Sequence, residues 1–238
     1  MTAASARAAP DDHSTPQLGG TLSWLALWAV IIWLVFIGLG HLLGHNLQHS
    51  GLVHRDGAID RWFAAHRHQP WNTVTKVATY GAETVTVVLL GLLAFVLLRW
   101  RLGRWRESMF LAISVIGEVG IFVSTTLVVH RPRPAVHRLD GAPPTSSFPS
   151  GHTAASVALY GSLAIIAWHA GRAGWLRMLA TAAAVVLPVA VATSRLYRGM
   201  HYPTDVLAGA LLAVCWLTVC NRLVLSDRAA AGRTPGQR

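Results

Sequence analysis

At 238 residues, with 53% hydrophobic and only 13% charged, the chain is too apolar for an ordinary soluble domain. The formal charge of +10 raises nucleic acid as a partner, but the arginines are scattered between apolar blocks instead of lining one soluble face, which argues against that class. They fit membrane topology and anionic headgroups better, and the apolar blocks of roughly 20 residues match a hydrocarbon core of about 30 Å.

Residues 1–20, rich in Ala, Pro, Asp, Ser and Thr with no hydrophobic period, are expected to be a disordered cytoplasmic tail. Residues 22–43 are too long for a signal-peptide core and read as a retained first transmembrane helix. The polar and aromatic stretch 44–71 places Ile59, Trp62 and Phe63 at i, i+3, i+4, which predicts a short amphipathic helix lying on the membrane surface. A second span is expected over 73–98, ending at Arg99, Arg101, Arg104 and Arg106, and a third over 108–129. Further spans follow at 150–168, 176–193 and 203–219. The fold class is therefore all-α: a polytopic bundle of six transmembrane helices with a short extracytoplasmic amphipathic helix. One domain covers 21–222, and 223–238 is a second cytoplasmic tail. Cys215 and Cys220, five apart in an apolar segment, read as small packing residues rather than as a disulfide or metal pair.

Arginine asymmetry sets the expected orientation. One side carries eleven: Arg7, Arg99, Arg101, Arg104, Arg106, Arg172, Arg177, Arg222, Arg228, Arg233 and Arg238. The other carries eight: Arg55, Arg61, Arg67, Arg131, Arg133, Arg138, Arg195 and Arg198. The bias sharpens if arginines in polar clusters serve chemistry, so the termini are expected in the cytoplasm and the clusters outside.

Two such clusters share that face. The first is Arg133-Pro134 followed by Pro149-Ser150-Gly151-His152; the second is Ser194-Arg195, then His201, then Asp205. Arginine matches phosphate oxygens bidentately at any pH, and a helix opened by Ser150 and Gly151 adds free N–H groups and a positive dipole end. If the last helix begins by His201, Asp205 lies one turn on and can orient and prime that imidazole as a nucleophile. His152, with no carboxylate in its local sequence, suits the general acid that protonates the leaving alkoxide. That scheme needs no metal and no cofactor.

The paired motifs resemble the type-2 phosphatidic acid phosphatase superfamily, whose pattern is K-x6-R-P, P-S-G-H and S-R-x5-H-x3-D. P-S-G-H is intact at 149–152 and S-R-x5-H-x3-D at 194–205. The resemblance implies that His201 is the nucleophile, Asp205 its orienting partner and His152 the acid. It also implies that Arg133, Arg195, Ser150 and Gly151 hold phosphate at the outer face. One position departs from the pattern. The family lysine falls on Thr126, and Lys76, Arg131 and His130 are candidate replacements.

His41, His45 and His49 form an i, i+4, i+8 stripe that reads as interfacial, and no metal site is expected. Glu83 and Glu118 fall inside expected spans, where Glu118 is read as a buried hydrogen-bonding group. The function expected is hydrolysis of a lipid phosphate or pyrophosphate through a phospho-histidine, with a membrane lipid as substrate and the bilayer as partner. Polyprenyl pyrophosphate, phosphatidic acid and phosphatidylglycerophosphate are all open. The alternatives are a non-catalytic phosphate- or lipid-binding or transport protein and a vanadate-type peroxidase.

Overall fold

The computed structural model describes residues 18–47, 49–141, 144–171 and 173–226. The tails expected over 1–17 and 227–238 lie outside the described residues, as do Arg7, Arg172, Arg228, Arg233 and Arg238. The regular structure among the described residues is helical. In chain order it comprises α1 (Leu18–His41), α2 (Gly51–Ala65), α3 (Trp71–Tyr80), α4 (Thr84–Val96), α5 (Trp105–Val128), α6 (Gly151–His169), α7 (Gly174–Tyr197) and α8 (Pro203–Cys220). Helices α1, α4 and α8 each run on into a π-helical turn, Leu42–Asn46, Leu97–Arg101 and Asn221–Ser226. Residues 18–20 and 223–226, expected to belong to the tails, are helical.

Among the described residues, five helical stretches are long and apolar enough to cross a membrane: Gly20–Asn46, Thr84–Arg101, Trp105–Val128, Gly174–Tyr197 and Pro203–Ser226. Helix α1 shows why. It buries Leu25, Ile32 and Phe36 but leaves Leu22, Trp24, Leu27, Trp28 and Leu34 exposed, an apolar surface that water would not tolerate but lipid would. Helix α6 is the exception among the long helices. Rich in Ser, Ala and Thr, it packs against α5, α7 and α8 at the centre of the bundle, and Ser156 and Ser162 return their hydroxyls to their own helix.

The expected second span is two helices. Residues 71–80 carry Thr73, Thr75, Lys76 and Thr79, too polar to continue an apolar helix. Helix α3 closes through i→i+3 bonds from Gly81, Ala82 and Glu83, and Tyr160 Oη of α6 donates to the Gly81 carbonyl at 2.8 Å. Glu83 adopts an extended conformation (ψ 149°) and opens α4, so it lies outside the crossing stretch.

Helix α2 forms over the expected stretch, with its apolar stripe turned away from the bundle. Its buried positions are Asp56 and Asp60, while Ile59 and Trp62 are exposed at 40% and 56%. Periodicity located the apolar stripe, and on the opposite face Asp56 turns inward to a buried cation.

Candidate active site

The cation is Arg131. Its side chain is 3% exposed and lies between Asp205 Oδ1 (2.5 Å) and Asp56 Oδ2 (3.0 Å), with its guanidinium 4.5 Å above the Tyr202 ring. Arg131 is thus fully committed to ion pairs and does not replace the missing lysine. Its backbone matters as well: the Arg131 carbonyl accepts from Ser147 N at 2.9 Å, and the Ser147 carbonyl accepts from His201 Nδ1 at 2.7 Å.

That contact corrects the expected His201–Asp205 pair. Pro203 occupies the first helical position, so α8 begins after His201 and the i+4 relation does not hold. The Asp205 carboxylate turns back to Tyr202 N (2.9 Å) and to Arg131, while its backbone carbonyl accepts from Ser150 N at 2.9 Å. His201 takes its partner from the Ser147 carbonyl. A carbonyl only accepts, so Nδ1 carries the proton and the Nε2 lone pair is left to the groove that the ring lines. Burial first, then the charges of Arg195 and Arg133, push the His201 pKa well below its ordinary value against the pull of the Ser147 carbonyl.

Ser150 also departs from the expectation. Its N–H is taken by Asp205, its hydroxyl lies 3.0 Å from Thr153 Oγ1, and it is fully buried, so it fastens α6 to α8. Gly151 and His152 open α6 and line the groove. Gly151 is required by space, since a Cβ there would lie 2.4 Å from the Phe122 ring. Gly209 was not legible as a site residue, yet its Cβ would fall 2.4 Å from the Ser150 carbonyl oxygen, so it sets how closely α8 approaches the Pro-Ser-Gly-His turn.

Arg133 and Arg195 converge on the same groove. Arg133 Nη1 donates to the Met200 carbonyl (2.8 Å) and Nη2 makes a long contact to Ser146 O (3.5 Å). Arg195 Nη1 pairs with Asp140 at 3.0 Å. In both side chains Nε is buried and has no partner among the described residues. Two guanidinium edges with open, desolvated donors are what a phosphoryl group requires.

The groove has a volume of 620 Å³. Arg133, Arg195, His152 and His201 form its polar end, and Val87, Val88, Val115, Ile116, Val119 and Phe122 of α4 and α5 form its apolar length. Glu118 lines it too, fully buried, with both oxygens unpartnered among the described residues, so the helix-pairing hydrogen bond expected of it is not made. A second opening of 460 Å³ shares His152 and Arg195 with the groove and is bounded by Thr79, Glu83 and Asp140.

The remaining candidates lie outside the groove. Thr126 returns its hydroxyl to Val123 O (2.8 Å) and borders a separate 380 Å³ pocket with His130, Arg131 and Ser146. Lys76 is exposed on α3, next to the Thr75 and Thr79 face that packs on Ser194, and it does not line the groove. Arg198, counted from the sequence only among the outer-side arginines, is buried and paired with Asp140 at 2.6 Å. The sequence reading missed Asp140, Asp56 and Ser147. Asp140 was the one acidic residue in an arginine-rich loop, and Asp56 and Asp60 shared an i, i+4 face; Ser147 acts through its backbone, which carries no sequence signal.

YbjG of Escherichia coli (strain K12), named as a candidate undecaprenyl-diphosphatase, is 33% identical over 148 residues, 60% of this chain and 68% of its own length. The undecaprenyl-diphosphatase of Sulfolobus acidocaldarius is 30% identical over 142 residues, 60% of this chain and 64% of its own. The crystal structure of a transmembrane PAP2-type phosphatidylglycerolphosphate phosphatase from Bacillus subtilis superposes with a TM-score of 0.67 at 21% identity, covering 87% of this chain and 98% of that one, which establishes a shared fold. The model of the PAP2 superfamily matches residues 107–228, which span both polar clusters, and the chain belongs to that superfamily.

Proposed function

We propose that the chain hydrolyses a polyprenyl pyrophosphate at the outer face of the plasma membrane through a phospho-His201 intermediate. As a member of its family the chain is a membrane phosphatase. One observation carries the finer reading: two buried arginine Nε donors without partners meet two histidines at the end of an apolar groove. The relatives named as acting on undecaprenyl diphosphate favour a polyprenyl chain in that groove. We take α6 as the sixth crossing. At about 1.5 Å per residue its 19 residues span roughly 28 Å. Arginine asymmetry then puts both termini inside and the clusters outside.

The chemistry uses groups already in place. Arg133, Arg195 and the N–H groups that open α6 hold the terminal phosphoryl oxygens, and their charge opposes the charge that builds in the transition state. His201 Nε2 attacks phosphorus, a P–N bond forms, and the P–O bond to the lipid monophosphate breaks. His152 gives its proton to the leaving oxygen, which contributes typically 10²–10⁴-fold. It then takes a proton from water, whose oxygen attacks phosphorus and breaks the P–N bond. Inorganic phosphate leaves and both histidines are restored.

The test is phosphate release from a panel of lipid phosphates and pyrophosphates by protein purified in detergent with EDTA present, with labelled phosphoenzyme trapped by an alkaline detergent quench, because a P–N bond is lost in acid. Release abolished by His201→Ala, with phosphoenzyme lost in the same variant, is the expected result. Lipid binding without release from any substrate would leave only the non-catalytic alternative.

A further inference from the structure

Arg195 reaches the groove by one edge, and the structure supplies the device that selects that edge. Its Nη1 corner is bound to Asp140 Oδ2 at 3.0 Å, with Thr79 Oγ1 a longer 3.5 Å away, while its Nε is left open. Asp140 does not hold this position alone. Arg198 grips it bidentately, Nε to Oδ2 at 2.7 Å and Nη2 to Oδ1 at 2.6 Å. Arg198 is fixed in turn by α3, through the Asn72 carbonyl at 3.1 Å and Thr75 Oγ1 at 3.3 Å. It is also tied to the Asp140 loop through reciprocal bonds with Leu139.

We propose that Asp140 is a positioning residue for phosphate binding, held by Arg198 and in turn holding Arg195 so that its Nε edge faces the transferred phosphoryl group. This inference deepens the phosphatase reading and rests on it for the identity of the ligand. The two arginines of the Ser194–Arg198 segment thus have different tasks. Arg195 offers donors to the groove, whereas Arg198 spends its guanidinium on Asp140 and neighbouring oxygens.

The charges fit this arrangement. Burial alone would raise the Asp140 pKa, but the hydrogen bond and charge of Arg198, and then those of Arg195, outweigh it and hold the carboxyl below its ordinary value. Asp140 is therefore an anion at neutral pH. It sits at the edge of the second opening, its side chain 23% exposed, beside His152 and Glu83. A guanidinium freed from such an anchor regains rotamer freedom, and only part of its time is then spent in the bidentate orientation. The opposite role is also physically definite. If Asp140 instead competes with phosphate for Arg195, its removal must tighten anion binding.

The experiment separates the two. Full-length protein in detergent is compared with Asp140→Ala, Asp140→Asn and Arg198→Lys, measuring inorganic phosphate binding by titration calorimetry, kcat and KM on a polyprenyl pyrophosphate, and Tm. Positioning predicts that Asp140→Ala weakens phosphate binding and raises KM by about tenfold or more, with kcat changed by less than about threefold. Asp140→Asn, which keeps an acceptor oxygen, and Arg198→Lys, which loses the fork, fall between wild type and Asp140→Ala. Unchanged or tighter phosphate binding in Asp140→Ala overturns the proposal. If that variant does not fold, the same criterion applies to Asp140→Asn and Arg198→Lys. Wild-type phosphate binding that Asp140→Ala weakens, without release from any lipid, sinks the hydrolytic reading and leaves the positioning role standing; no phosphate binding by wild type sinks both.

Discussion

Arg131→Ala is the most demanding test of how the site is held. The substitution removes the counter-charge from Asp56 and Asp205, whose side chains are 3% and 0% exposed. Breaking a buried ion pair by deleting one partner costs about 3–5 kcal/mol, because the partner's charge is left uncompensated. Loss of the cation from the Tyr202 face adds on the order of 1 kcal/mol. Partial relief comes from bonds that survive, Tyr202 N to Asp205 and Thr204 to Asp56. The net loss should stay near 3–5 kcal/mol, which for a chain of this size lowers Tm by on the order of 10 °C. Thermal unfolding in detergent measures it. The control is the neutral triad Asp56→Asn, Arg131→Met, Asp205→Asn, which removes every charge in the pairings and should recover most of the stability. A Tm within about 2 °C of wild type for Arg131→Ala, or a neutral triad as unstable as the single variant, would refute the reasoning.

Gly209→Ala puts a methyl group 2.4 Å from the Ser150 carbonyl oxygen, a backbone atom that cannot swing aside. The turn that presents Gly151 and His152 must move, so phosphate release should fall by about tenfold or more while the protein still inserts and purifies. Activity within twofold of wild type would mean that α8 can retreat without disturbing the turn. Asp60→Asn addresses pH. Asp60 is buried with neither oxygen partnered among the described residues; burial first, then Asp56 and Asp205, raise its pKa to about 8, opposed by Arg131 and Arg67. Between its ordinary 3.8 and about 8 the folded state holds a proton that the unfolded chain has released. Stability therefore falls as pH rises through that window and levels off above it. Wild type should lose Tm between pH 6 and pH 8 and Asp60→Asn should not; parallel slopes would rule out Asp60 as the titrating group.

Helix α6, the fourth expected span, was legible to within a residue, because Pro-Ser-Gly before an apolar run is a strong helix start. His152, His201, Arg133, Arg195 and Gly151 were legible from spacing, and they do meet in one groove. What the sequence concealed was partnership. Asp205 at four residues past His201 suggests a carboxylate–imidazole pair, but Pro203 delays the helix and the carboxylate turns to Arg131 instead. The Ser147 carbonyl that replaces it is a backbone group, present in every residue type and therefore invisible in a motif. The buried face of α2 was concealed by a similar limit. Ile59, Trp62 and Phe63 mark an apolar stripe whatever it faces, and only the distant Arg131 makes the carboxylate face the buried one. Apolar length alone also merged α3 with α4, since the break at Gly81–Glu83 depends on Tyr160, a residue some eighty positions away.

These partnerships assign different work to different parts of the bundle. The long helices α4 and α5 supply an apolar groove, a surface that needs only length and side-chain size. The cations at its end need fixed orientation, and their restraints come largely from the short helices α2 and α3 and the loops beside them. Asp56 of α2 holds Arg131; Asn72 and Thr75 of α3 hold Arg198, and Arg198 holds Asp140. Ser194 is clamped to α3 by Thr79 and the Thr75 carbonyl, both at 2.6 Å, and Arg67 ties the turn before α3 to the Tyr197 and His137 carbonyls. A lysine at position 126 would project from α5, which belongs to the groove wall and not to this frame. The structure instead places its open donors on Arg133 and Arg195, the latter secured by the frame through Asp140 and the former by the Met200 carbonyl. A neutral Thr126 is compatible with a phosphate cradle because the cradle's geometry is set by what grips the arginines from behind.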